Sequence, residues 1–406
     1  MPDFLTATET ARRLGVKPAT LYAYVSRGVL SRSKAEDGRA SLFNADDVER
    51  LARRGRPRRP AGAVDITVES AITEITADAL RFRGLDATRL AVSCTFEEVA
   101  ELLWTGEFPA APRGPWQASP AGLAAGRAAQ TGVPAGALPL ERLQVIVPAM
   151  ATTDSLRLQL DPSAVLAAAR SLIAGMVDCL PPFPVQAPAG PGAPIAERLW
   201  SRLCGRRPAA GLLRALSAAL VLLADHELAA STLAARVAAS VRADPYAVVG
   251  TGLGAMSGAL HGGASLGAET LLAAARGPDD VPRVVGELLR RGEKVPGFGH
   301  FAYRNGDPRA TVLLSLVRRA APKSGALAVA EAVLAEVGTK ALPAPNIDFA
   351  LATLARVAGM VTGAGEAIFA IARTAGWIAH ALEAYAGDGP LRPRAVYTGR
   401  PAVIDP

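Results

Sequence analysis

Residues 294–310 read KVPGFGHFAYRNGDPRA, and this stretch decides how the rest of the chain is understood. It sets His300 behind two glycines, Gly297 and Gly299, and ahead of Arg304 and Arg309. Two other segments share its character: ADHELAAS around His226, and SGALHGGAS around His261 with Gly262 and Gly263 behind it. The chain has 4 histidines, and three of them fall in these segments. Histidine trades hydrogen bonds and protons near neutral pH without prior tuning. Glycine beside it lets backbone approach a ligand where a Cβ would obstruct. Downstream, APNIDFA supplies a carboxylate at Asp348, and arginines recur at Arg309, Arg373 and Arg392. A base, neutral donors and spaced cations together suit carbanion chemistry on an anionic substrate.

The totals set bounds. At 406 residues the chain is long enough for two or three compact units. Half of it is apolar, 20% is charged and only 5% is aromatic, with alanine and leucine dominant, which predicts a mostly helical protein. The net charge of +7 comes mainly from arginine and is compatible with nucleic acid or anionic metabolites as partners. Three cysteines without paired spacing argue against a disulfide framework and a zinc site. The HEL at His226 would need a second ligand at position 230 to make a zincin, and that residue is Ala230. No metal site is expected. The glycine loop is not a dinucleotide-binding GxGxxG, and there is no P-loop. MPDFLTATET lacks the charged start and apolar core of a secretory signal. The most apolar run, LLRALSAALVLLADHEL, is interrupted by Arg214 and is shorter than the ~20 residues that cross a bilayer. A cytoplasmic protein with no membrane partner is expected.

Residues 1–58 differ from the remainder. Thr6 and Glu9 form a capping box that opens a first helix. Gly15 turns the chain, and Pro18 opens a second helix bearing Thr20, Tyr24 and Arg27, with Leu21 and Val25 facing inward. RSKAEDGRASLFN then reads as a wing, and Asn44 caps a third helix. TATETARRLGVKPATLYAYVSRGVL resembles the winged helix-turn-helix of the MerR or excisionase type. The resemblance implies DNA as a possible partner, with Lys17, Thr20, Tyr24 and Arg27 as contacts and Arg32, Lys34 and Arg39 facing phosphates. A module that only mediates protein contact, or a fused remnant, fits the same residues. The basic run RRGRPRRPAGA contains the linker proper, 59–63.

From residue 64 to 406 the pattern is all-α: long Ala/Leu-rich helices, with DITVESAITEIT as a short extended pair and 106–136 as loops and turns. TFEEVAELLW has a capped, acidic helix start. His380 sits mid-helix in GWIAHALE and reads as structural. Trp104, Trp200 and Trp377 read as core.

ADHELAAS, GALHGGAS, KVPGFGHFAYRNGDPRA, PNIDFA, FAIARTAGWIAHALE and LRPRAVYTG occur in the order seen in citrate synthases, and RFRGLDATRLAVSCTFEEVAELLWTGEFP resembles that family's N-terminal region. The resemblance covers residue 64 to the C-terminus. It implies the citrate synthase fold, a large helical domain and a small one at about 212–320, and a homodimer. It implies that Asp348 removes a proton from the acetyl group of acetyl-CoA while His261 holds the thioester carbonyl. It further implies that His300 polarises the keto oxygen of oxaloacetate, and that His226, Arg309, Arg373 and Arg392 complete the oxaloacetate site, Arg392 coming from the partner subunit. On the CoA side it implies Val295, Pro296, Gly297, Phe298, Gly299, Asn346 and Phe369; Arg304, five residues before Arg309, is within reach of a phosphate. Acyl-CoA is then a co-substrate, and no permanently bound cofactor is implied. Two alternatives stand beside this one: 2-methylcitrate synthase using propionyl-CoA, and a DNA-binding regulator whose body senses metabolites.

Overall fold

The computed structural model describes residues 4–14, 21, 25, 30, 32–34, 41–45, 47–48, 67–111, 114–183, 189–303, 305–387, 389–393 and 395. The chain divides into two compact units, Met1–Val68 and Glu69–Pro406.

In the first unit, β1 (Phe4–Thr6) leads into α1 (Ala7–Leu14), followed by β2 (Arg32–Lys34) and β3 (Ser41–Asn44). The expected capping box is present: Thr6 Oγ1 accepts from the Glu9 backbone at 3.3 Å, and Glu9 Oε2 accepts from the Thr6 backbone at 2.9 Å. β2 and β3 pair antiparallel, which is the expected wing, and β1 joins on the other side of β3, a pairing the sequence reading did not foresee. Leu21 is buried with Ala11, Leu30, Phe43 and Val48, and Val25 packs against them. Asn44 Oδ1 accepts from the Asp47 backbone at 3.2 Å, as a helix cap does. The expected DNA contacts Lys17, Thr20, Tyr24 and Arg27 lie outside the described residues.

The second unit is helical apart from a small antiparallel sheet, β4 (Thr73–Ile75), β5 (Leu80–Phe82) and β6 (Leu85–Asp86). Its helices run α2 (Ala87–Ser93), α3 (Phe96–Thr105), α4 (Pro120–Ala128), α5 (Pro139–Ala151), α6 (Pro162–Cys179), α7 (Ile195–Leu203), α8 (Ala210–Leu223), α9 (Ala230–Ser240) and α10 (Pro245–Met256). They continue as α11 (Gly263–Ala274), α12 (Val281–Arg290), α13 (Pro308–Ala320), α14 (Gly325–Thr339), α15 (Ile347–Ala358) and α16 (Ala364–Ala386). Where 106–136 was expected to be loop, α4 forms: Ser119 caps it, and Pro120 sits in its first turn, where the missing N–H costs nothing.

Helix α16 is the centre of this unit. Nineteen of its 23 residues are buried, Glu366, Arg373 and His380 among them, and it packs against α3, α5, α6, α8, α9 and α10. Trp377, Trp200 and Trp104 lie in the core as expected. Close approach here depends on absent side chains. A Cβ on Gly376 would stand 2.3 Å from Asp225 Oδ1 and 2.5 Å from the Ala224 carbonyl, which instead accepts from the Gly376 backbone at 2.9 Å. Among the described residues, α6 is the one helix long and apolar enough to span a bilayer, and 61% of it is buried within the fold.

Helices α8, α11, α13 and α15 pack against one another and carry the segments singled out in the sequence. Gly376→Ala is expected to lower unfolding stability by roughly 2–3 kcal/mol, because backbone and a carboxylate must move. Gly338→Ala, with open space around it on exposed helix, should instead gain about 0.5–1 kcal/mol. Urea midpoints of the two variants test this; equal midpoints would contradict the packing account.

Candidate active site

The site begins with Asp307, which caps α13. Its carboxylate accepts from the Arg309 backbone at 3.0 Å and from Arg309 Nε and Nη2 at 3.0 and 2.8 Å. Its second oxygen also accepts from the Ile347 backbone at 3.0 Å, at the head of α15. One buried carboxylate therefore sets the position of Arg309 and of the helix that carries Asp348. Burial works against charge here, but the Arg309 guanidinium still holds Asp307 below the usual carboxylate range, and Asp307 in turn raises Arg309.

The loop before His300 is sewn to the same helix. Asn346 caps α15 with Oδ1, receiving the Asp348 backbone N–H at 3.0 Å, while its Nδ2 donates to the Gly299 carbonyl at 2.9 Å. Its own N–H donates to the Gly297 carbonyl at 2.9 Å, and Gly299 donates to Ala344 at 2.8 Å. Gly297 and Gly299 hold φ of 81° and 83°, the left-handed region that glycine enters freely. A Cβ on Gly297 would also lie 2.8 Å from the Phe349 Cβ. Asn346, expected to face CoA, thus spends its amide on bracing this loop.

Asp348 lies in the first turn of α15, and Ser265 Oγ donates to its Oδ1 at 2.6 Å. Burial pushes the Asp348 carboxyl above its ordinary value, while the Ser265 bond and Arg309 oppose that rise. Ser265 is on α11, four residues after His261 in the turn that leads into it, so α11, packed against α15, ties the base to that histidine. His261 Nε2 is 2.7 Å from Ser231 Oγ, at the start of α9. Its ring meets the Phe369 ring edge-on at 5.7 Å. Burial, then the Arg373 charge, lowers His261 to about 4, so it is neutral at pH 7.

His300 is also lowered to about 4, by burial and then by Arg309. Its Nδ1 accepts from the Ala302 backbone at 3.1 Å, so the neutral ring carries its proton on Nε2. That nitrogen lies 3.5 Å from Arg309 Nη2, which can only donate. Two donors facing one point mark the place of an acceptor oxygen. His226 is buried with Nε2 3.0 Å from Tyr303 Oη, and its ring stands 5.2 Å from that of His300. Burial and then Arg309 drive its pKa well down. The residue after it, Glu227, has φ of 52°, a strained value for a residue with a side chain, held by its N–H on Asp225 Oδ2 at 3.1 Å.

Arg373, on α16, is 1% exposed and places its guanidinium carbon 4.6 Å from the Phe369 ring centre. Nε donates to the Leu223 carbonyl at 2.8 Å, while Nη1 and Nη2 are buried without a partner. Burial lowers it to about 10, which leaves it charged at neutral pH. Unpaired buried donors on a cation are costly unless an anion meets them.

Behind His226 lies a polar network in which His380 is buried, consistent with a structural part. Arg236 Nη1 donates to His380 Nδ1 at 2.9 Å, so Nε2 bears the proton and faces Asp225 Oδ2 at 3.4 Å. Asp225 also accepts from Thr73 Oγ1 at 2.6 Å, and Arg236 pairs with Glu383 at 2.6 Å.

His226, His261, His300, Asp348, Arg309, Arg373 and Phe369 are thus joined by direct contacts or by residues they share. Val295, Phe298, Gly299 and His300 line an adjoining cavity of about 520 Å³, with Lys294 and Phe301 at its wall, while Pro296 packs beside Gly267 of α11. Arg392 is exposed; its neighbour Leu391 is anchored to Ser240 Oγ at 2.9 Å, and no described contact brings Arg392 to the cluster. Arg304 lies outside the described residues. Sequence reading missed Ser231, Ser265, Tyr303 and Asp307 as site residues, although all four stand inside the quoted motifs. Among the described residues no group of three or more His, Cys, Asp or Glu is arranged to hold a metal ion.

Comparisons with known proteins match both parts of the chain. The family model for the citrate synthase C-terminal domain matches residues 63–394, and a helix-turn-helix domain model matches residues 4–56. Citrate synthase 2 of Bacillus subtilis is 30% identical over 361 residues, covering 82% of this chain and 94% of the relative. 2-Methylcitrate synthase 2 of Corynebacterium glutamicum is 30% identical over 362 residues, covering 82% and 92%. Among solved structures, citrate synthase of Thermoplasma acidophilum, in ternary complex with carboxymethyl coenzyme A and oxaloacetate, superposes with a TM-score of 0.69 at 24% identity, covering 84% of this chain and 96% of that one. The chain belongs to the citrate synthase family, with a helix-turn-helix domain ahead of the synthase body.

Proposed function

We propose that this protein condenses acetyl-CoA with oxaloacetate and hydrolyses the resulting thioester to citrate and CoA. Asp348 takes a proton from the carbon next to the thioester. The neutral His261 N–H receives the charge that develops on the thioester oxygen, a role a charged imidazolium would not leave poised at neutral pH. The enolate carbon attacks the keto carbon of oxaloacetate, whose oxygen lies against His300 Nε2–H and Arg309, while His226 borders the same space. Arg373 binds a substrate carboxylate through both free Nη groups. Water then cleaves the thioester, releasing the thiol of CoA. The observation that carries this reading is the Arg373 guanidinium, buried with two donors unmet beside a base and neutral histidines.

The loop Val295–Gly299 and Phe369 border the CoA side, Arg304 is within sequence reach of a phosphate, and Asn346 acts by holding the loop. Segments 212–320 close over oxaloacetate as a small domain, excluding water until condensation is complete. Propionyl-CoA in the same machinery would give 2-methylcitrate, and one methylene in an apolar pocket separates the two donors by only ~1–3 kcal/mol. The named relatives include both kinds of enzyme.

The chain works as a homodimer in which Arg392 of a second copy completes each site. Thiol release from acetyl-CoA and propionyl-CoA, each with and without oxaloacetate, tests the reaction; oxaloacetate-independent release or none would refute it. Asp348→Asn should lose about 10³-fold in kcat. Mixing Asp348→Asn with Arg392→Ala subunits should restore about one quarter of wild-type turnover, since half the dimers are mixed and each holds one intact site. A mixture no more active than its components would exclude sharing of Arg392.

Asp348 works as a base only when ionised, and its burial raises its pKa. kcat/KM should therefore fall on the acid side through a pKa above that of an ordinary carboxyl. Ser265→Ala removes a bond that favours the ionised form, so the acid limb should move to higher pH with turnover retained above it. An unmoved limb, or one shifted to lower pH, would mean that Ser265 does not tune the base.

The N-terminal domain binds DNA through Lys17, Thr20, Tyr24 and Arg27. The family match over 4–56 and the basic strand Arg32–Lys34 favour this. Mobility shift of genomic duplexes by the full chain should be strong at low salt and fall steeply as salt rises. No shift at low salt would assign the module to protein contact. Shifts that depend on metabolites in a protein without turnover would favour the regulator.

A further inference from the structure

Helix α16 starts without a cap of its own. Its N-cap is Gly363, at φ 78°, which has no side chain to accept a first-turn N–H. The cap comes instead from α11: Glu269 Oε2 accepts from the Gly363 backbone at 2.8 Å, and Oε1 from the Gly365 backbone at 2.9 Å. The N–H between them, on Ala364, turns back to the Val361 carbonyl at 3.2 Å. A carboxylate placed there also meets the positive end of the helix dipole. Burial raises the Glu269 pKa, and the two N–H bonds oppose that rise. A cap from within the segment would hold only the end of α16. One from Glu269, 94 residues before Gly363, fixes α11 against it as well.

The two helices meet along matched rows. His261, Ser265 and Glu269 are spaced by four, the last two on one face of α11 and the first in the turn leading into it. Gly365, Phe369 and Arg373 are spaced by four along α16. Glu269 holds Gly365, and the His261 ring meets the Phe369 ring edge-on at 5.7 Å. Between them, a Cβ on Gly365 would lie 3.3 Å from the Ser265 Cβ and 3.1 Å from Glu269 Oε1. Ser265 in turn donates to Asp348 at 2.6 Å. One row therefore carries the histidine assigned to the thioester and the serine on the base, and the other ends at the arginine with unmet donors. Among the described residues, the hydrogen bonds that join α11 to the head of α16 are the two of Glu269.

We propose that Glu269 is a positioning residue of the condensation: by capping α16 from α11 it keeps His261 and Asp348 in register with Phe369 and Arg373, and so the acyl donor in register with the keto acid. It acts through those four residues rather than on substrate, and it rests on the reaction proposed above. Because α11 lies inside the 212–320 segment and α16 outside it, the same joint spans the boundary of the segment that closes.

Steady-state kinetics and histidine resonances of the full chain test it together. Glu269→Gln keeps the shape and one acceptor oxygen, while Glu269→Ala removes both. The kcat should fall by about tenfold in Glu269→Gln and further in Glu269→Ala, since small displacements of reacting groups lower rates steeply. The KM for oxaloacetate should stay within about threefold, because Arg373 keeps its charge. Rates are taken well below each variant's thermal midpoint, and Glu269→Gln carries the test if Glu269→Ala folds poorly. With 4 histidines in the chain, each imidazole C–H signal is assigned by substituting its residue. The His261 signal, shifted by the Phe369 ring current, should move in both variants, and that of His380, in its separate network, should stay. An unchanged kcat, an unmoved His261 signal, or a rate loss that only follows the loss of folded protein would overturn the proposal. A wild type without oxaloacetate-dependent turnover would refute the condensation itself, and the His261 signal alone would then decide whether Glu269 sets the register.

Discussion

The site depends on a buried carboxylate, Asp307, whose described hydrogen bonds all go to the protein itself. Asp307 binds Arg309 through both oxygens and holds the head of α15 with one of them. A buried charge is tolerated when its partner and its hydrogen bonds are complete, and Asp307 has four donors. Completing that shell requires Arg309, the start of α13 and the start of α15 to lie at fixed separations. The placement of Asp348 follows, because it is one residue beyond the Ile347 N–H that Asp307 receives. Removing Asp307 would leave an uncompensated arginine and loosen the helix bearing the base at the same time.

Arg309 and Arg373 also decide the state of the histidines around them. Burial disfavours imidazolium at each of His226, His261 and His300, and a nearby guanidinium adds to the effect at all three. The result is a set of neutral rings across the whole physiological range. Such rings offer one N–H each, and local bonds choose which nitrogen carries it. At His300 the Ala302 N–H makes that choice, and at His380 the Arg236 guanidinium does. Cations thus handle the negative charge of a substrate while the histidines act as oriented dipoles.

Much of this was legible in the sequence, and the boundary of legibility is physical. His226, His261, His300, Asp348, Arg309 and Arg373 carry chemistry in their side-chain type, so short motifs exposed them. Gly297 and Gly299 were legible as points of close backbone approach, while their left-handed φ emerged only in the structure. Ser231 and Ser265 do not announce themselves, because a serine is functional here only through a partner 30 or 83 residues away. Helix α4 was missed because 106–136 is rich in Pro, Gly and Ala, although Pro120 lies in its first turn, where proline is harmless. Asn346, which the resemblance puts on the CoA side, also braces the loop, a role visible only once its amide partners are known.

Arg373 brings these threads together. An arginine on the most buried helix of the body would be a liability if nothing met it. The Leu223 carbonyl takes Nε, the Phe369 ring lies against the guanidinium plane, and Asp225 contributes a distant opposing charge. Those contacts fix the group's direction but leave Nη1 and Nη2 unmet. Asp225 supplies charge but no hydrogen bond to the group: Thr73, the Glu227 N–H and His380 all bond its Oδ2, and its Oδ1 is buried without a partner. The network around His380 thus holds one oxygen of Asp225, whose charge still favours the Arg373 cation without bonding its Nη groups. The strained Glu227 backbone follows from the same arrangement, since its N–H must turn toward Asp225 to help hold that carboxylate. A substrate carboxylate entering this space replaces a cost already carried by the fold, and part of its binding energy is prepared before it arrives.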